Sequence, residues 1–175
     1  IIQDGNIDKS DKIIKKYSKL YPDKIRVFRN KIRRGLQFNA NLALKKSRGK
    51  YIIRLDPDDY FDESALLLMS SLLDKKKSVN LIYPDFFYVD KYSNILDLEK
   101  RKKIGIEDNA LDLPAHGACT MIRKNILIKL GGYNEKFKAQ DGYDIWYKFL
   151  NKKNFYNIST PLFFYRQHKL SITKN

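Results

Sequence analysis

Gly49-Lys50-Tyr51-Ile52-Ile53-Arg54-Leu55-Asp56-Pro57-Asp58-Asp59 decides the reading of this chain. An apolar, Ile-rich run from Tyr51 to Leu55 ends abruptly in acid. The run is short and carries one charge, which predicts a buried strand, parallel to its neighbours. Gly49 before it and Pro57 after it punctuate the strand. In open α/β sheets ligands bind beyond the carboxyl ends of strands, so Asp56, Asp58 and Asp59 stand where a ligand would sit. Hard cations take oxygen ligands, and Mg2+ or Mn2+ typically uses one or two carboxylates plus substrate phosphates. An Asp-x-Asp pair at a strand end can thus hold a divalent ion against a diphosphate. An EF-hand fails, because Phe61 occupies the position where that loop needs Gly. The plain alternative is a solvated acidic turn, with Asp62 as N-cap of the next helix.

Upstream, Ile1-Ile2-Gln3-Asp4-Gly5 reads as the end of a strand running into a loop. The expectation is a chain that begins inside a domain, with the first strand missing. Asp8 caps a helix carrying Ile13, Ile14, Tyr17, Leu20 and Tyr21 at helical spacing, and Pro22 ends it. Ile25 to Phe28 is a strand. The loop from Asn30 to Gly35 holds Lys31, Arg33 and Arg34, and Leu36 to Lys46 is a helix with Ala40, Ala43 and Leu44 inward. The order strand, helix, strand, helix, strand implies α/β architecture around a mostly parallel sheet with right-handed crossovers.

Downstream, the helix after Asp62 should bury Leu66, Leu67, Met69, Leu72 and Leu73. Leu81 to Tyr83, Phe86 to Val89 and Ile95 to Leu98 are strand-like, and Glu99 to Leu113 reads as a mobile loop. Ala118 to Ile122 is a short strand. Lys124 to Leu130 is a helix closed by Gly131-Gly132. Asp141 to Leu150 is a helix with Trp146 and Phe149 inward. Two short strands follow, Phe155 to Ile158 and Leu162 to Arg166.

The 175 residues amount to one domain, and 43% hydrophobic content suffices for a core. The net charge of +15 attracts phosphorylated substrates, anionic membrane surfaces or nucleic acid. The lysines are scattered, and zinc-finger spacing, an aromatic RNA-binding signature and a basic zipper are all missing, which argues against a nucleic-acid partner. Cys119 is the single cysteine, so an internal disulfide is excluded and a buried thiol expected. No apolar run approaches the length of a membrane span.

These motifs, in this order, resemble glycosyltransferase family 2, the inverting family with the GT-A fold. The resemblance covers nearly the whole chain. Gln3-Asp4-Gly5-Asn6 is similar to its Asp-Asp-Gly-Ser loop, and Asn30 through Asn41 to its Asn-x-Gly-x-x-x-Ala-x-Asn helix start. Gly49 to Asp59 resembles its Gly-x-Tyr-Ile-x-x-Leu-Asp-x-Asp-Asp signature. Gly131-Gly132-Tyr133, Gln140-Asp141, Asp144-Ile145-Trp146 and Tyr165-Arg166-Gln167-His168 follow in the family's order.

The resemblance implies one glycosyltransferase domain over residues 1–175. Its nucleotide-binding half is about residues 1–60 and its acceptor half about residues 61–175. The donor would be a nucleotide-diphosphate sugar and the acceptor a glycan or lipid-linked hydroxyl. Asp4 would hydrogen-bond the base, and Arg34 would contact the base or a phosphate. Asp56 would reach the ribose or the metal, Asp58 would coordinate Mn2+ or Mg2+, and Asp59 would support the ion or cap the turn. Asp141 would be the general base, with Asp144 the alternative, because Gly142 shifts the spacing. His168 is a metal or phosphate contact or else a surface histidine. His116 is a sugar or acceptor contact or else a plain loop residue. Gln3 and Gln140 depart from the family's acids. By analogy the setting is bacterial surface polysaccharide assembly, at the cytoplasmic face of a membrane. Two rivals stay open: a nucleotidyltransferase on a similar sheet, and a non-enzymatic basic module that binds nucleic acid or anionic membrane.

Overall fold

Strands β1 (Ile2–Asp4) and β2 (Phe28–Asn30) pair in parallel as a two-stranded sheet, with Ile2 opposite Phe28 and Asp4 opposite Asn30. Helix α1 (Ser10–Leu20) connects them, and α2 (Leu36–Lys46) follows. The computed structural model describes residues 1–5, 8–101, 117–137, 141–150 and 154–168. Among these, a second sheet contains β3 (Tyr51–Ile52), β4 (Tyr60–Phe61), β5 (Leu81–Val89), β6 (Ile95–Glu99), β7 (Met121–Arg123) and β8 (Phe155–Arg166). Its order is β3-β7-β5-β8-β4, with β6 paired to β5. Helices α3 (Ala65–Lys75), α4 (Lys124–Lys129) and α5 (Asp141–Leu150) complete the described elements.

Side chains alternate across this sheet as a pleated strand requires. Leu81 and Tyr83 join one cluster with Ala40, Leu44, Trp146 and Phe149. Ile82 and Phe86 join the other, with Ala65, Met69, Leu73 and Phe163. Helices α2, α4 and α5 therefore cover one face and α3 the other, which is the layering of an α/β domain.

The first crossover, from β1 through α1 to β2, is parallel as expected. The buried parallel strand expected over Tyr51 to Leu55 is instead the two-residue β3, half-buried at the end of the other sheet's strand order and antiparallel to β7, with Leu55 exposed. That larger sheet is mixed. β5 and β8 are parallel, whereas β3–β7, β5–β7, β5–β6 and β4–β8 are antiparallel. β5 and β8 are each continuous where two short strands were expected. Pro84 and Pro161 lie where the β5–β8 register shifts, and such an irregularity tolerates a residue without an N–H. Helix α3 turns Ala65, Met69 and Leu73 inward and leaves Leu66 and Leu67 exposed, because Leu66-Leu67-Leu68 offers three possible apolar faces. On α1 and its C-cap, Ile13, Tyr17, Leu20 and Tyr21 recur at helical spacing but are exposed. The loop expected over residues 99–113 lies outside the described residues from 102 onward.

Candidate functional site

The acidic turn is built by its neighbours. The Arg54 carbonyl accepts from the Cys119 N–H at 3.1 Å, and the Asp59 N–H donates to the Asp56 carbonyl at 3.2 Å, closing the turn. β4 then pairs antiparallel with β8, Tyr60 opposite Phe164. Two residues before Tyr60 and two after Phe164, that register brings Arg166 level with Asp58, and His168 beyond it reaches the turn. His168 Nε2 stands 2.7 Å from Asp58 Oδ2, both side chains half-buried.

The three carboxylates have different surroundings. Asp56 forms a two-pronged ion pair with Arg54, at 2.9 Å to Nε and 3.2 Å to Nη2. Asp58 faces His168. Asp59 is buried; its Oδ1 accepts the Arg166 N–H at 2.9 Å, and among the described residues its Oδ2 accepts no hydrogen bond. Burial pushes the Asp59 carboxyl from 3.8 up to about 7, the charges of Asp58 and Asp56 add to this, and the Arg166 N–H opposes it.

A hard divalent cation fits this donor set. It needs one or two carboxylates, with other oxygens from phosphate and water, and the cluster offers Asp58, the adjacent His168 and a buried carboxylate oxygen without a donor. Among the described residues no three His, Cys, Asp or Glu side chains form a ready cage. The fit is therefore to an ion whose coordination a diphosphate would complete.

The two loops after β1 and β2 meet at Asp4. Asp4 Oδ1 accepts from Asn30 Nδ2 at 2.8 Å and the Arg34 N–H at 2.7 Å, and Oδ2 accepts the Gly35 N–H at 2.9 Å. Burial alone would raise the Asp4 pKa, but these bonds outweigh it and hold the carboxyl below its ordinary value. Gly5, at φ +78°, presses on this loop so closely that a Cβ would clash with the Arg33 backbone nitrogen. The exposed Arg34 guanidinium lies 4.2 Å from the Phe38 ring centroid. Asp4 thus shapes the loop that presents Arg34, an arrangement the sequence motif does not reveal.

On the other side, Asn41 of α2 binds both backbone groups of Tyr133. Its Nδ2 donates to the carbonyl at 2.9 Å and its Oδ1 accepts the N–H at 2.8 Å. Asp144 Oδ2 accepts from the Asn134 N–H at 3.1 Å and pairs with Lys148 Nζ at 2.6 Å. Lys148 also donates to the Gly132 carbonyl. Asp144 therefore fastens α5 to the Gly-Gly-Tyr loop. Asp141 opens α5, but its side chain lies outside what the structure describes, as do His116 and Gln140.

Two residues, Arg101 and Arg166, gain weight that sequence reading did not give them. Arg101 is buried, its guanidinium 4.9 Å from the Tyr83 ring centroid and 5.6 Å from that of Trp146, and its N–H donates to the Asp85 carboxylate. Burial lowers the Arg101 pKa to about 10. Arg166 binds the acidic turn; its place two residues before His168 was the available signal. Cys119 is buried at φ +51°, and burial pushes its thiol up to about 12 although Arg101 opposes this. A buried thiol is what the sequence led us to expect. Among the described residues no helix is long and apolar enough to cross a membrane.

Known proteins resemble this arrangement. The family model described as Glycosyl transferase family 2 matches residues 1–131. An uncharacterized glycosyltransferase of Methanocaldococcus jannaschii is 28% identical over 152 residues, spanning 83% of this chain and 51% of that protein. The minor teichoic acid biosynthesis protein GgaB of Bacillus subtilis is 26% identical over 132 residues, 73% of this chain and 15% of that protein. The chain thus spans about half the length, or less, of these curated relatives. Among solved structures, S. aureus TarS in complex with UDP-GlcNAc superposes with a TM-score of 0.76 at 16% identity, over 99% of this chain and 50% of that one. GalNAc-T7 with UDP, GalNAc and Mn2+ superposes with a TM-score of 0.75 at 16% identity, over 95% and 37%. At these identities the likeness to the solved structures is one of fold, and the fold is the GT-A-like α/β architecture expected from the sequence.

Proposed function

The chain belongs to glycosyl transferase family 2, and from that membership we propose that the protein moves a sugar from a nucleotide-diphosphate donor to a hydroxyl of a glycan or lipid-linked acceptor. The observation that carries this reading is the convergence on one turn of Asp58, His168 and the buried Asp59. Asp58 and His168 would hold Mn2+ or Mg2+, with Asp56 kept alongside by Arg54. When bound, such an ion offsets the charge of the departing diphosphate.

Asp141 takes the acceptor hydroxyl's proton as that oxygen bonds the anomeric carbon. The bond from that carbon to the diphosphate oxygen breaks on the opposite face, so configuration inverts. The engagement of Asp144 by Lys148 and the Asn134 N–H supports giving the base role to Asp141. Asp4 and the loop it shapes, with Arg34, receive the nucleotide. The UDP in both TarS and GalNAc-T7 structures makes uridine donors the first to try. The teichoic acid relative makes a surface polymer the first acceptor to try; its assembly at the cytoplasmic face of a membrane is part of the proposal by family analogy.

A thermal-shift panel on the full-length protein tests this, with UDP, GDP, dTDP and CMP, each with and without Mn2+. A ligand that binds only the folded state raises the melting temperature. Stabilisation by one nucleotide, dependent on Mn2+ and abolished in Asp58→Asn, is the expected result. A folded protein that responds to none sinks the reading.

A further inference from the structure

Arg166 ends β8 and touches more of the site than any role so far explains. Its N–H donates to Asp59 Oδ1 at 2.9 Å. Its Nε donates to the Asp58 carbonyl at 2.8 Å, Nη1 to the Asp90 carbonyl at 2.7 Å, and Nη2 to Ser93 Oγ at 3.1 Å. The guanidinium also lies 5.6 Å from the Tyr60 ring centroid.

The far partners are firmly placed. Asp90 opens the turn between β5 and β6, and its carboxylate accepts from the Tyr92 N–H, the Asn94 N–H and Asn94 Nδ2. The Ser93 N–H donates to the Asp90 carbonyl, and Ser93 is held at φ +71°. A non-glycine residue persists there only where its surroundings over-determine it. The next residue along, Gln167, donates its N–H to the Val89 carbonyl at 2.8 Å, which locks β8 beside the hairpin.

We propose that Arg166 is a positioning residue for the transfer reaction. It fixes the peptide that links Asp58 to Asp59, so that the Asp58 carboxylate stands against His168, and it anchors that peptide to the rigid hairpin turn at Asp90–Ser93. The inference rests on the glycosyltransferase reading of the acidic turn. A planar fork with five donors reaches three acceptors in separate directions while staying charged; a lysine ammonium, a single point, cannot span them. Partners that orient metal ligands typically matter tenfold to a hundredfold in metal affinity.

The test is a Mn2+ titration of the full-length protein at a saturating concentration of whichever of UDP, GDP, dTDP or CMP binds. It is read by calorimetry, with the melting temperature of metal-free protein measured separately. Variants are Arg166→Lys, Arg166→Met, Ser93→Ala, Asp58→Asn and the Ser93→Ala/Arg166→Lys pair. Arg166→Lys is expected to raise the Mn2+ midpoint about tenfold. Ser93→Ala should raise it by a smaller factor, and the double variant should show less than the product of the two. Should Arg166→Met fail to fold, Arg166→Lys and Ser93→Ala carry the comparison.

A lowered metal-free melting temperature with an unchanged Mn2+ midpoint overturns the proposal and leaves Arg166 a simple anchor of the hairpin. If Asp58→Asn abolishes Mn2+-dependent nucleotide binding while Arg166→Lys does not weaken it, the proposal falls and the glycosyltransferase reading stands. If no nucleotide binds the wild type with Mn2+, both fall together.

Discussion

His168 Nε2 and Asp58 Oδ2 stand 2.7 Å apart across 110 residues of chain. A carboxylate on the turn and an imidazole brought against it can ligate one ion together, and each alone is a weaker ligand. His168→Ala is expected to raise the Mn2+ concentration for half-maximal transfer on the order of tenfold, and Asp58→Asn by more. Equal Mn2+ requirements in His168→Ala and the parent would remove His168 from the site.

The two acids of α5 should separate by what they change. Asp141→Asn is expected to lower kcat by roughly 10²–10⁴, the usual range for a general base, and to leave nucleotide binding intact. Asp144→Asn takes the charged partner from Lys148 and leaves it the Gly132 carbonyl, so it should lower the melting temperature first. The opposite pattern in kcat would make Asp144 the base.

Asp59 links stability to pH. Its folded-state pKa of about 7 lies above the ordinary 3.8, so between these values the folded protein holds a proton that the unfolded chain has released. Metal-free protein therefore loses stability as pH rises from about 4 to about 7, and this contribution is constant above. Asp59→Asn carries no such charge. In EDTA its melting temperature relative to the parent should climb across that window and level off; a pH-independent difference would contradict the burial argument.

Asn41 and Gly132 act as one joint. Asn41→Ala strips both Tyr133 backbone groups of their partner and should destabilise by about 1–3 kcal/mol. Gly132 has φ +67°, and a Cβ there would meet Asn41 Oδ1 at 2.6 Å, so Gly132→Ala should cost a similar amount. Denaturant melts of both singles and the double should show less than additive loss. Full additivity would mean the two do not share the contact.

Cys119 offers a probe of folding. A buried thiol with its pKa pushed up to about 12 should resist iodoacetamide in the native state and react once denatured. Rapid native labelling, followed by mass spectrometry, would refute its burial.

What could be read in the sequence was what neighbouring residues decide. The acidic turn at Asp56–Asp59 and helix α2 over Leu36–Lys46 depend on local apolar spacing and on Gly and Pro punctuation, whereas the direction and burial of the strand before the turn were set by its distant partner β7 and not by its own residues. What stayed hidden was set by pairing between distant strands. The β4–β8 register brings Arg166 and His168 to Asp58, and no local pattern encodes it. Pro84 and Pro161 looked like strand ends because a strand interior normally needs every N–H; two prolines at one irregular pairing evade that rule. Arg101 falls in the stretch read as a loop, and nothing local signals that its guanidinium packs against Tyr83 and Trp146.

The bond from the Arg166 N–H to Asp59 spans 107 residues. At roughly 5–20 residues per second of synthesis, the acidic turn leaves the ribosome about 5–20 s before the strand that finishes it. During that interval the nascent chain carries three carboxylates close together, with neither Arg166 nor His168 to order them. Such a chain has the turn without its organising partners, so on the proposed reading any hold on a metal-bound diphosphate waits until β8 closes beside β4.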